Sequence, residues 1–262
     1  VFRAGLLIAF LLQALVATQV IFAKSVSFTE LSQYKKSFIG NPSQGRKALI
    51  YKGEGSCIED CSESAALMAQ MAGLIPVYVS PKEVNPDIFI GASVWVQPGG
   101  ESLIVSENMA VQLRMLIKRF VMNGGGYVGF CAGAFFADQW IHGTTQEGLG
   151  LLPGLALSYE RTTEKAVMLD FLWNGEKRSI YWEEGPYLQL LTTGTMFMPF
   201  AYYPTGEIAS AYGDFYQGRV ILTGVHPEAP QYWRDDIKAA DPDGLDYDLA
   251  VDMIRWAAGP HL

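Results

Sequence analysis

The residues best suited to chemistry in this chain are a thiol, an imidazole and a carboxylate. Cys131 sits in Gly129-Phe130-Cys131-Ala132-Gly133, between an apolar run at 127–130 and a helix-forming stretch at 132–139. A strand, a sharp turn and a helix with the nucleophile at the turn make a nucleophile elbow, here with Cys where hydrolases often carry Ser. The glycines permit a tight turn. The helix N-terminus favours thiolate, and the Ala132 N–H is left to face an oxyanion. Read alone, Cys131 is equally a small buried hydrophobe. The chain has three histidines, His142, His226 and His261. His226 directly follows a strand pattern at 219–225, in Gly224-Val225-His226-Pro227-Glu228. Strand ends on one side of a parallel sheet open into a common crevice, which predicts that His226 meets Cys131. Glu228 is placed to hold the imidazole tautomer and stabilise its charged form. Thiol, imidazole and carboxylate so arranged make an activated nucleophile. Read alone, His226 is a turn residue before Pro227 and Glu228 a solvated loop acid.

Positioning these residues requires an α/β frame. Short apolar runs at 48–51, 75–79, 94–96 and 127–130 read as strands. Helical spacing at 62–72 and 107–122 separates them, and Asn123-Gly124-Gly125-Gly126 stops the second helix. The alternation predicts a mostly parallel central sheet with helices on both faces. The second half changes pattern, with hairpins at 166–173 and 178–182 around Asn174-Gly175 and at 197–203 and 207–212 around Pro204-Thr205-Gly206. A closing helix is expected at 246–258. The organisation is one domain over 47–262, preceded by a polar lead-in at 24–46 with a short helix near 28–36.

Composition narrows the function classes. Half of the 262 residues are hydrophobic and 18% are charged, which excludes a disordered chain. With 19 Lys+Arg against 27 Asp+Glu the net charge is −8, so nucleic acid is not expected as a partner. Arg3 followed by an apolar run to Ala23 has the pattern of a secretory signal cleaved after Ala23, or of an uncleaved membrane anchor. Either way the remainder is exported, periplasmic or secreted, and meets a membrane only through residues 1–23. In an exported protein Cys57 and Cys61 are expected to form a disulfide, leaving Cys131 as the free thiol. A metal pair, a substrate contact at the crevice edge, and simple packing remain open for these two. Aromatic residues concentrate between 181 and 233, where sheet packing or the lining of a sugar or peptide pocket would use them. Arg234-Asp235-Asp236 and the acidic stretch 241–248 read as a solvated surface, and their spacing does not match a hand-type calcium loop. No metal or organic cofactor is called for.

The turn Pro98-Gly99-Gly100, Cys131 with its glycine neighbours, and His226-Pro227-Glu228, in this order along the chain, resemble the signature elements of the class I glutamine amidotransferase-like superfamily. The fuller strings Gly-Gly-Tyr-Val-Gly-Phe-Cys131-Ala-Gly-Ala-Phe-Phe-Ala and Glu184-Gly185-Pro186-Tyr187 look most similar to the N-terminal domain of biotin–protein ligases, which also occurs as free-standing exported bacterial proteins. The resemblance spans roughly 47–257. It implies a flavodoxin-like α/β fold, Cys131 as nucleophile, His226 as general base and Glu228 as its orienting acid. It further implies an oxyanion hole from the Gly100 and Ala132 N–H groups, and Gly99, Gly185, Pro186 and Tyr187 near the substrate. The chain leaves no room for a ligase or synthetase domain, so glutamine hydrolysis and biotin transfer are not carried over. The expectation is an exported cysteine hydrolase acting on an amide or acyl bond of a small molecule or peptide. The alternatives are a non-catalytic binding module for a small ligand or partner protein, and a thiol redox or stress protein. The oligomeric state is left open.

Overall fold

The computed structural model describes residues 46–57, 60–141, 143–160, 165–191 and 197–259. The signal or anchor at 1–23, the lead-in helix, His142 and His261 lie outside the described residues. Eleven strands form one sheet system. Its first half is parallel, in the order β2 (Ile75–Val79), β1 (Lys47–Tyr51), β3 (Ala92–Gln97), β4 (Gly126–Phe130) and β11 (Gly218–Thr223). Its second half continues antiparallel through β10 (Ile208–Phe215), β9 (Met198–Tyr202), β6 (Ala166–Trp173) and β7 (Glu176–Glu183). Two strands that the sequence pattern did not reveal, β5 (Gly154–Ser158) and β8 (Pro186–Leu190), pair with each other, and β8 also pairs with β10.

The parallel strands are apolar on both sides because helices cover both faces. Ala48, Ile50, Val94, Val96, Val128 and Phe130 share one core with α1 (Cys61–Met71) and the closing helix α6 (Tyr247–Ala258). Leu49, Tyr51, Trp95 and Tyr127 alternate with them and pack on the opposite face, with Leu113, Ile117 and Phe120 of α3 (Val111–Met122). This period-two alternation, apolar on both sides, identifies buried central strands.

Three expectations are corrected. The helix expected at 107–122 is two, α2 (Ser102–Asn108) and α3, separated by Met109 and Ala110 in extended conformation. The Ala110 N–H leaves the helical ladder to donate to the Pro81 carbonyl at 2.8 Å. The break is silent in the sequence because Met109 and Leu113 both face the same core, so the apolar spacing runs across it. The helix after Cys131, α4, spans only Ala132–Phe136 rather than reaching 139. Its carbonyls are taken by the returning chain: Leu149 donates to Phe136, and Leu151 and Leu152 donate to Ala137.

The acidic stretch near the C-terminus is only in part a solvated surface: Asp235, Asp236, Asp243 and Asp248 are exposed, but the stretch also holds two arginines. Arg234, on the short α5 (Gln231–Asp236), is fully buried and pairs with Asp241 at 2.7 Å and Asp246 at 3.0 Å. Arg178 of β7 pairs with Asp243, Asp246 and Asp248. The network fastens the β6–β7 hairpin to the start of α6. Among the described residues no helix is long and apolar enough to cross a membrane.

Candidate active site

The register of the parallel strands brings the chemistry together. Gln97 of β3 lies opposite Gly129 of β4, and Thr223 of β11 lies opposite Phe130. The three strands end almost level. The turn at 98–100, Cys131 and the segment 224–228 therefore leave the sheet at the same edge.

Cys131 holds φ 46° and ψ −104°, in the left-handed half of backbone space, where a residue with a side chain is strained by about 1–3 kcal/mol. Hydrogen bonds on both sides impose that conformation. Its N–H donates to the Thr223 carbonyl at 2.9 Å, and its carbonyl accepts from Ala134 at 2.8 Å. The flanking glycines allow the turn to close: a Cβ on Gly129 would meet the Gly133 carbonyl oxygen at 2.5 Å, and one on Gly133 would meet that of Gln97 at 2.3 Å. The Cys131 sulfur is 3.4 Å from the Glu183 carbonyl oxygen.

His226 is 3% exposed and Glu228 is fully buried. The imidazole Nδ1 is 2.9 Å from Glu228 Oε1, which leaves Nε2 free of that carboxylate, and Cys131 is near enough to act on the ring. Two opposing effects act on the imidazole. Burial pulls its pKa down, while the Glu228 carboxylate and Cys131, by charge and by hydrogen bond, push it up; the upward effects win and hold it well above the usual value. The protonated ring is therefore the favoured form. Its backbone N–H donates to the Tyr181 carbonyl at 2.9 Å, and the rings of Tyr181 and Trp233 stand edge-on to it at 5.9 and 5.3 Å. These aromatic walls fix the ring orientation and keep water from its faces.

Cys131 and His226 open into a cavity of about 840 Å³. Gly55, Ser56, Cys57 and Cys61 form one wall, and Tyr181, Glu183, Glu184 and Trp233 form another. Cys57 and Cys61 are joined by a disulfide, and Cys131 is a free cysteine. Gly100 lines the cavity with φ 129°, and its α-carbon is pressed so close to the Gly55 carbonyl that a Cβ would lie 2.1 Å from that oxygen. Among the described residues neither the Gly100 nor the Ala132 N–H has a backbone acceptor. Gly99 lies beneath the site, where a Cβ would meet His226 Cε1 at 2.6 Å and the Cys61 sulfur at 3.3 Å. Gly185, Pro186 and Tyr187 stand beside the cavity rather than in its wall. Gly185 packs on the Gly224 carbonyl, Trp182 donates to the Gly185 carbonyl at 3.3 Å, and Tyr203 donates to the Pro186 carbonyl at 2.7 Å. This segment braces the chain leading to His226, and Glu183 and Glu184 reach the cavity in its place. Tyr181 and Trp233, which touch His226, belong to the aromatic-rich stretch 181–233. Their role was hidden there because a ring in a strand and a ring at a site look alike in sequence. Among the described residues no group of three or more His, Cys, Asp or Glu is placed to hold a metal ion.

Residues 46–148 match the family model described as biotin-protein ligase, N terminal. The matched stretch carries Gly99, Gly100 and Cys131 but ends before His226 and Glu228, which reach the site through the fold. A search of curated proteins finds no match. Among solved structures, a glutamine amidotransferase is 18% identical, with 72% of this chain and 97% of that one covered and a TM-score of 0.55. PurLQS from Thermotoga maritima is 15% identical, covering 79% and 98%, with a TM-score of 0.56. A second glutamine amidotransferase, also from Thermotoga maritima, is 12% identical, covering 81% and 96%, with a TM-score of 0.52. At these identities the shared property is the fold, the mixed α/β architecture of class I glutamine amidotransferases.

Proposed function

We propose that this protein is an exported cysteine hydrolase acting on an amide or related acyl bond. The observation that carries the reading is the Cys131 thiol, held in a strained elbow at the wall of a cavity that His226 also lines, with the His226 Nδ1 fixed by buried Glu228. The Cys131 sulfur attacks the substrate carbonyl carbon, and the C=O electron pair moves onto oxygen, where the Gly100 and Ala132 N–H groups stabilise it. Collapse of this intermediate breaks the C–N bond as protonated His226 gives its proton to the leaving amine. Water then attacks the thioester, His226 takes up its proton, and the carboxylic acid leaves as the thiolate is restored. Every step uses groups of this chain and water alone.

The apolar run ending at Ala23 and the Cys57–Cys61 disulfide support export, because disulfides persist in oxidising compartments. We read the compartment as periplasmic or extracellular, with residues 1–23 removed or kept as an anchor.

The test of the catalytic reading is the rate at which iodoacetamide labels Cys131, in wild type and in His226→Ala, from pH 5 to 10. At pH 6.5 the wild type should react at least about tenfold faster, and the two should converge above pH 9, where an ordinary thiol is ionised. Equal rates across the range would remove the hydrolase reading in favour of a binding module. Labelling that confirms a primed pair then directs a screen of amide substrates.

A further inference from the structure

The cavity around Cys131 is lined by carboxylates of one sign: Asp60, Glu101, Glu183, Glu184 and Asp236. Among the described residues lining it there is no Lys or Arg. Among the described residues, His226, which also lines the cavity, is paired with Glu228, and two further cations near it have partners. Arg234 is fully buried and paired with Asp241 and Asp246. Lys165 reaches Glu184 at 3.9 Å, but both side chains are mostly exposed, and such a pair compensates little charge. Asp60 and Glu183 accept hydrogen bonds from the hydroxyls of Tyr232 and Tyr181, which bring no positive charge. The carboxylates share this cavity with Cys131, and the Glu183 backbone carbonyl lies 3.4 Å from the Cys131 sulfur. Tyr181 and Trp233 add aromatic rings to the same wall, and such faces favour cations. A cleft in which one sign of charge predominates between low-dielectric walls concentrates ligands of the opposite sign.

We propose that the substrate is cationic, an amide or ester bearing an ammonium or guanidinium group, and that this cleft disfavours acyl groups ending in a carboxylate. The proposal rests on the hydrolase reading and names the charge class of its substrate.

The test needs no substrate. Methanethiosulfonates transfer their thioalkyl group to a thiolate, forming a mixed disulfide and releasing methanesulfinate. Cys131 is labelled with the cationic 2-(trimethylammonio)ethyl reagent, the anionic 2-sulfonatoethyl reagent and the neutral methyl reagent, and each rate is divided by that for free 2-mercaptoethanol. At low salt the normalised cation-to-anion ratio should be about tenfold or more, and it should shrink in 0.5 M NaCl through screening. Glu183→Gln with Asp236→Asn should lower it several-fold; a change in the thiolate fraction affects all three reagents alike and cancels in the ratio, and continued labelling by the neutral reagent reports an accessible thiol. A normalised ratio near one, with all three reagents fast, overturns the charge assignment and leaves the primed thiol standing. Failure of all three to label overturns both readings.

Discussion

Whether His226 carries a proton is decided by which of its neighbours dominates. Burial alone would strip the proton; Glu228 at 2.9 Å and the Cys131 sulfur keep it. The weight of Glu228 in that balance makes it a positioning residue with an electrostatic effect. Glu228→Gln keeps the shape and removes the charge, so the imidazole loses its principal stabiliser. Iodoacetamide labelling of Cys131 at pH 6.5 should slow by about tenfold, the equivalent of one unit on the imidazole, while labelling at pH 10 stays near wild type. A merely structural role would slow or speed both alike. The same raised imidazole couples to folding. Its pKa is higher folded than unfolded, so its contribution to stability is complete below the unfolded value of about 6.5 and is lost as pH rises through the folded value. The denaturant midpoint of the wild type should therefore fall between pH 6.5 and 9.5 more steeply than that of His226→Gln; parallel slopes would show that the imidazole is not raised. Much of this site was legible in the sequence. Cys131, His226 and Glu228 stand next to strand ends, and strand ends in a parallel sheet converge. Tyr181 and Trp233 were not legible as site residues, because Tyr181 meets His226 only once a hairpin folds back across the sheet edge and Trp233 only once α5 packs beside it.

That hairpin is where element-scale behaviour meets the site. β7 joins a network of ion pairs near its start, through Arg178, and ends at Glu183 against the Cys131 sulfur. The network holds the strand that closes one side of the cavity. Removing Arg234 leaves Asp241 and Asp246 with a lost partner in the interior, so Arg234→Met should cost about 3–5 kcal/mol, the usual penalty for breaking a buried pair from one side. Arg178→Ala should act more locally. Amides of 176–183 should exchange with solvent faster than in wild type, and Cys131 should label faster with the neutral reagent as its cover loosens. Exchange confined to α6, with β7 unchanged, would show that the network anchors the helix alone. The sequence pattern displayed both strands of this hairpin and its Asn174-Gly175 turn, since local alternation and turn chemistry suffice for it. It did not display β5 and β8, which are short and whose pairing joins segments far apart in the chain. Nor did it display the burial of Arg234, because a charged run in sequence looks the same whether its partners are water or each other.

At the scale of the whole molecule, the parallel half carries Cys131 and the antiparallel half supplies its cover, and the disulfide sits where the first strand delivers a third wall. Cys61 opens α1 and lies under Gly99, and Cys57 faces the cavity. Cross-linking two residues four apart restrains a short loop, for which the chain-entropy account gives about 2 kcal/mol. Its consequence for the site should be larger than for the fold, because the restrained loop carries Cys57 and Asp60 in the cavity wall and the core beneath it is complete without the bond. The Cys57→Ser/Cys61→Ser double variant should therefore remain folded, with a stability loss of about 2 kcal/mol. Its normalised preference of Cys131 for the cationic over the anionic thiosulfonate should fall, since Asp60 is no longer held in place. Mild reduction of the wild type should reproduce that change, and reoxidation should restore it. An unchanged preference in both experiments would assign the disulfide to the stability of the chain and leave the cavity wall independent of it.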